Sequence, residues 1–187
     1  MAASPARFAL RDGTADLHAA LDARLAAADF HDPASYTGFL LAHAPALFAL
    51  ERLIEAAPLA RALGDWERRR RGPALRHDLR SLGRDAPPPF GGVALEGDAL
   101  LGALYVLEGS RLGARVLVRH AQASRHAAVR DATAFLVHGE GEPLWPSYLR
   151  FLAGREAEGL DQEAAVAGAR DAFGWFLKGA DAVLEPI

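Results

Sequence analysis

The chain has 187 residues, 51% of them apolar and 24% charged, enough for one domain with a sizeable core and unlike the composition of a disordered chain. Its formal net charge of −3 argues against a dedicated nucleic-acid binder, which would be clearly basic. With no cysteine it forms no disulfide, thiolate metal site, iron–sulfur cluster or cysteine nucleophile, and with one lysine, Lys178, it leaves the fixed cationic charge to arginine.

Helical periodicity runs along the chain and alternating strand patterns are nearly missing. The N-terminus lacks the apolar run of a signal peptide, and the apolar stretches read as too short to span a bilayer, so the expectation is a soluble, cytoplasmic protein with no membrane partner. A first helix is expected from Ser4 to about residue 28, with Pro5 in its first turn, where a missing N–H costs nothing. Thr14, Leu17, His18, Leu21 and Leu25 make one stripe on it. Asp32-Pro33 opens a second helix whose apolar face carries Tyr36, Phe39, Leu40, His43, Leu47, Leu50 and Ile54, with Pro45 expected to kink or break it. Pro58 and Gly64 mark a break, Arg68-Arg69-Arg70-Arg71-Gly72-Pro73 reads as a solvated connector, and a short helix follows over 74–82. Pro87-Pro88-Pro89 makes 85–92 a stiff loop.

Asp98 is the expected N-cap of a central helix rich in leucine, which contains Gly102, Gly109 and Gly113. A turn or two is expected over 129–135, then Gly139 and Gly141, a helix over 143–153 and a last one over 161–184. The pattern predicts an all-α, single-domain bundle of about seven helices over 1–187, with no internal repeat.

Two features carry candidate chemistry. Gly109 and Gly113 lie one turn apart on one face of the central helix, where glycine costs roughly 0.5–1 kcal/mol relative to alanine. The backbone is bare along that strip, either for a close helix crossing or for a flat ligand. The second feature is His18, on the apolar stripe of the first helix, with Arg11 two turns earlier and Thr14 between them. A lone histidine on such a face is commonly a core residue. A neutral imidazole beside an anchor for an anion also suits a metal-bearing anionic cofactor. No H-E-x-x-H, P-loop, dinucleotide fingerprint or G-x-S-x-G elbow is present.

These two segments carry a family resemblance. Leu10-Arg11-Asp12-Gly13-Thr14-Ala15-Asp16-Leu17-His18-Ala19-Ala20-Leu21-Asp22 resembles the first-helix signature of heme oxygenases. Leu104-Tyr105-Val106-Leu107-Glu108-Gly109-Ser110-Arg111-Leu112-Gly113 resembles their glycine-bearing distal helix, in wording most like the enzymes that accompany bacterial phytochromes. The motifs stand in the family's order, about 90 residues apart.

The resemblance implies that His18 is the axial iron ligand, and that Gly109, Ser110 and Gly113 form the catalytic face over heme, with Gly109 and Gly113 also in contact with it. Asp22 is placed to accept from the second ring nitrogen of His18. Arg11 is the first choice for a heme propionate, and Tyr148 and Arg150 are further candidates for cofactor contact. Ser110 stands where mammalian members have an aspartate, and Ala114 where a second glycine is common, so the distal hydrogen-bond network must differ. The implied reaction opens heme, at once substrate and cofactor, to biliverdin, carbon monoxide and ferrous iron, using dioxygen and external electrons. The electrons would come from a ferredoxin or a flavin reductase, for which Arg68 to Arg71 is a candidate landing patch, and a bacterial phytochrome would receive biliverdin. A heme-binding or heme-trafficking protein without turnover is the alternative on the same fold. A purely structural helical module, docking through the prolines and the arginine run, is the reading from another class.

Overall fold

The computed structural model describes residues 4–92 and 94–183, and among these every regular element is helical. The expected first helix is two. In α1 (Pro5–Gly13) Ser4 is the N-cap, its hydroxyl accepting from the Arg7 N–H, and Pro5 sits in the first turn as expected. At Thr14 the backbone leaves the helix (φ −122°, ψ 2°), and the Thr14 hydroxyl turns inward to donate to the Leu10 carbonyl at 2.7 Å. The chain then resumes as α2 (Ala15–Leu25). The periodic stripe continues through this break, so periodicity alone does not reveal it. No residue of α2 is fully buried; Leu17, Leu21 and Leu25 lie partly covered against the core.

In α3 (Pro33–Ala56) Asp32 caps the helix by accepting from the N–H groups of Ala34 and Ser35. The helix passes through Pro45 unbroken, and the Pro45 carbonyl accepts from the N–H of Phe90 in the proline-rich loop at 3.1 Å. By length and composition α3 could cross a bilayer, longer than the apolar runs suggested, but 61% of its most apolar window is buried inside the fold. It is a core helix, and Tyr36, Phe39, Leu40, Leu47, Leu50 and Ile54 are buried on it.

Three short helices follow: α4 (Pro58–Leu63), α5 (Trp66–Arg69) and α6 (Gly72–Ser81). The loop over 85–92 holds no helix, as expected. In α7 (Asp98–Gln122) the N-cap is Gly97, not Asp98. The Asp98 carboxylate instead accepts from the Asp161 N–H at 2.8 Å and from Arg155 at 3.3 Å, tying the start of α7 to the turn before the last helix. Then come α8 (Ala127–Asp131), α9 (Ala134–Val137), α10 (Leu144–Ala157) and α11 (Gln162–Val183). The expected end of α11 at residue 184 lies outside the described residues. The eleven segments exceed the expected seven because the first helix divides and several single turns count as helices.

The long helices α3, α7 and α11 form the core, and α11 also packs on α1 and α2. Backbone approach fixes the α7–α11 crossing. A methyl group on Gly102 would collide with the Ala165 carbonyl of α11, and one on Gly168 with the Ala99 carbonyl of α7. Gly179 meets the Ala42 carbonyl of α3 in the same way. Only glycine permits backbones this close, so these crossings position everything carried on α7 and α11.

Candidate active site: an open face between two helices

Beyond the crossing, α7 leaves one face uncovered. A Cβ added at Gly113 would meet nothing within 4 Å, and one at Gly109 only the edge of the Trp145 ring, at 3.8 Å. The close-crossing reading of these two glycines is therefore wrong. Leu112 and Val116, on the same helical face, are 42% and 57% exposed, two of four large apolar side chains left open among the described residues. An apolar strip with bare backbone along it is a surface for a flat apolar ligand.

His18 is carried on α2 and is exposed. Its Nδ1 lies 3.1 Å from Oδ2 of Asp22, one turn on, so the expected acceptor is in place. With Nδ1–H donated there, Nε2 keeps its lone pair for a metal. The buried Phe173 of α11 meets the imidazole edge-on, with ring centroids 5.6 Å apart. Thus α11 packs against both α2 and α7 and holds the two motif-bearing helices in one frame.

A cationic and aromatic group stands at the Tyr105 end of this face. Arg7 lies over the Trp145 ring at 6.0 Å, and Tyr105 contacts Trp145 with centroids 5.6 Å apart. Arg11 is exposed, donates to Asp12 at 2.7 Å and lies over Phe8. Burial raises the Tyr105 pKa, partly opposed by the charges of Arg7 and Arg11. Tyr148 is placed differently from the expectation. It is fully buried beneath Trp145 and Tyr105, and its hydroxyl donates to the Leu101 carbonyl at 3.0 Å, so it supports the site from the core. Arg150 is exposed on α10 and forms no ion pair among the described residues.

The arginine run is not a solvated connector, which is a correction. Arg69 and Arg71 are buried. Arg69 pairs with Asp65 at 2.6 Å and with the buried Glu108 of α7 at 3.0 Å, and Glu108 also pairs with Arg111. Arg68 and Arg70 remain nearer the surface, but Arg68 pairs with Glu142, and Arg70 with Glu55 and Glu67. The run therefore offers no free landing patch. Its cations are drawn inward because the short α5 and the turn before α6 face the carboxylate of Glu108 beneath α7.

Arg71 makes no ion pair among the described residues. It stacks over Phe135 at 4.1 Å and donates from Nη1 to Ser110 Oγ at 2.6 Å. Burial and the nearby Arg111 charge pull its pKa down to about 9, so it stays cationic at neutral pH. The Ser110 hydroxyl itself donates to the Leu107 carbonyl at 2.8 Å. A hydroxyl has one proton and two lone pairs, so one lone pair remains to hold water. Close by, His138 accepts from Arg111 at 3.0 Å, and burial with the Arg111 and Arg71 charges lowers its pKa to about 4, leaving it neutral. His43, enclosed by Phe39, Phe135 and Phe176, is likewise lowered to about 4 by burial. Sequence reasoning missed Arg7, Arg71, Tyr105 and Phe173 as site residues. Arg71 carried one signal, the Gly72-Pro73 turn that follows it, whereas Phe173 looks like any other core aromatic.

No family model matches the chain. A heme oxygenase of Xanthomonas campestris pv. campestris (strain 8004) is 37% identical over 115 residues, 59% of this chain and 67% of that protein. Among solved structures, the NO- and CO-bound heme oxygenase from Neisseria meningitidis superposes with a TM-score of 0.73 at 23% identity, over 95% of this chain and 91% of that one.

Proposed function

The chain belongs to the heme oxygenase family, and from that membership we propose how its own residues carry the oxidative opening of heme. The protein is a heme oxygenase, and heme is both its substrate and its cofactor. The observation that carries the site assignment is the uncovered face of α7, where Gly109, Leu112, Gly113 and Val116 leave room that a close helix packing would have filled.

The residues fit the ligand. A porphyrin is flat, apolar on both faces and anionic at one edge. Bare backbone at Gly109 and Gly113 admits it closely and offers no side chain to bind iron from that side. His18 on α2 would hold the iron through Nε2, its ring orientation set by Asp22 and Phe173. Arg11, with Arg7 and Tyr105 beside it, takes the carboxylates, for which Arg11 exchanges its contact with Asp12. Arg150 joins them only if the bound ring reaches α10, and Tyr148 acts from beneath through Tyr105 and Trp145. When bound, heme supplies the iron that activates dioxygen and the porphyrin that is opened.

On the open side, Ser110 is fixed by Leu107 and Arg71 and accepts from a water through its remaining lone pair. That water keeps a second O–H to donate toward the reacting face, while the buried Arg71 cation favours negative charge developing there. The products are biliverdin, carbon monoxide and ferrous iron. The electrons come from a separate protein, a ferredoxin or flavin reductase, and biliverdin passes to a bacterial phytochrome in the cytoplasm. One domain carries all of this.

Titration with hemin, followed by a reductant in air, tests the reading. The wild type gives a Soret band that bleaches as biliverdin forms. His18→Ala keeps its helical circular dichroism, because the side chain is exposed, but loses the spectrum of histidine-ligated heme, and added imidazole restores it. An unchanged spectrum in that variant sinks the ligand assignment, and a Soret band that never bleaches sinks turnover in favour of heme trafficking.

A further inference from the structure

Away from the face of α7, one cleft combines charge and shape in a way that heme chemistry does not use. It has a volume of about 420 Å³ and lies between α3, the connector and α6, where Arg52, Arg70, Arg76 and Arg80 face Glu51 and Glu55. The two carboxylates are already committed. Glu51 is buried and accepts from the backbone N–H groups of Arg71 at 2.6 Å and Gly72 at 3.1 Å, while Glu55 pairs with Arg70 at 3.3 Å. Among the described residues, Arg52, Arg76 and Arg80 pair with no carboxylate. The Nε of Arg70 is buried with no hydrogen-bond partner.

Two other clefts carry less excess positive charge. The one beside α4 and α5 sets Arg61 and Arg68 against Glu55, Asp65 and Glu67. The one beside α7 sets Arg111, Arg115 and Arg119 against Glu140 and Glu142, and Arg111 is already paired with Glu108. Arg52, Arg76 and Arg80 are exposed on the rim, so water screens their mutual repulsion and leaves their N–H groups free to take up an anion. Arg76 is restrained by lying on the Phe48 ring at 3.6 Å, and Pro73 and Pro89 stiffen the rim.

We propose that this cleft binds a small polyphosphate. Guanidinium forks match phosphate oxygens in pairs, and several forks from different elements suit an anion with more than one charged group. The volume is within the range of small-molecule sites. Arg76 already covers the face of Phe48, so recognition rests on the phosphates and not on stacking of an aromatic base. None of the residues assigned to heme lines the cleft, and the proposal is independent of that reading.

Calorimetric titration of the full chain with inorganic pyrophosphate tests it. The wild type binds saturably at one site, and the double variant Arg76→Gln/Arg80→Gln binds about 10-fold or more weakly, as expected for loss of charge-assisted hydrogen bonds. Arg115→Gln, in the cleft beside α7, leaves binding unchanged. Unfolding temperature and circular dichroism establish that each variant is folded, and Arg52→Gln/Arg80→Gln serves should removal of Arg76 from Phe48 disturb the core. The proposal fails if wild type shows no saturable binding, if the double variant matches wild type, if Arg115→Gln weakens binding as much, or if citrate competes as well as pyrophosphate, which would mark a nonspecific cationic surface.

Discussion

Early in α7, Gly102 lies so close to α11 that a methyl group would strike the Ala165 carbonyl; two and three turns on, Gly109 meets only the edge of the Trp145 ring and Gly113 faces open space. The residue type is the same and the helix is continuous, yet glycine is required at 102 by a neighbouring backbone and at 109 and 113 by no neighbouring backbone. Glycine in a helix interior is unfavourable, so a glycine facing open space implies a ligand where one facing backbone implies packing. The flanking residues agree. Ala103, Leu104 and Leu107 in and after the crossing are buried, whereas Leu112 and Val116 are exposed with no packing partner to explain them.

The comparison breaks most sharply at the crossing. Alanine gains about 1 kcal/mol over glycine in any helix interior. At position 102 that gain is outweighed by overpacking, which costs typically 1–3 kcal/mol and more where backbone must move. Gly102→Ala should therefore lower the unfolding temperature by roughly 2–8 °C, with ligand or without. A rise instead would mean that α7 and α11 are not in backbone contact.

Gly113→Leu should do the reverse. Helix propensity predicts unchanged or slightly higher stability, by up to about 1 kcal/mol. Hemin affinity, read from the Soret band, should drop by about 10-fold or more, because a leucine would stand where the ring must lie. Unfolding of this variant with normal hemin binding by its folded fraction would erase the distinction between the two halves.

The smallest effect is expected at the edge of the face. Arg11 is exposed and already engaged by Asp12, so Arg11→Ala should weaken hemin binding only a few-fold, as for a solvent-screened pair. Its more informative consequence is a broader mixture of biliverdin isomers, since carboxylate anchors set the in-plane rotation of the ring. Chromatography of the products decides this, and an unchanged isomer ratio would leave the carboxylates to Arg7 and Tyr105.

Much of the fold was legible because its signals are local. Ser4-Pro5 and Asp32-Pro33 start helices through capping hydroxyl or carboxylate groups and the fixed φ of proline, and Gly139 and Gly141 end a segment in the left-handed conformation that glycine adopts without strain. Where expectation failed, a distant partner was responsible. Asp98 looks like an N-cap, but the Asp161 N–H and Arg155 claim its carboxylate. The first helix breaks at Thr14 where Gly13 presses against Val166, a residue far away in sequence: a Cβ there would lie 2.7 Å from its Cγ1.

The site divides in the same way. The spacing of Gly109 and Gly113 and the i, i+4 relation of His18 and Asp22 follow from helix geometry alone, so the sequence determined which groups share a face. It also determined the all-α class, through a hydrophobic period near 3.6 residues. Only the tertiary structure decided whether the glycine face was covered, because a bare strip is equally good for a helix or a ligand until the partner's position is known. Only it, too, could turn the arginine run inward. A guanidinium goes below the surface when a buried carboxylate, a hydroxyl or an aromatic face lies within reach, and for Arg69 and Arg71 those groups are Glu108, Ser110 and Phe135, supplied by other helices.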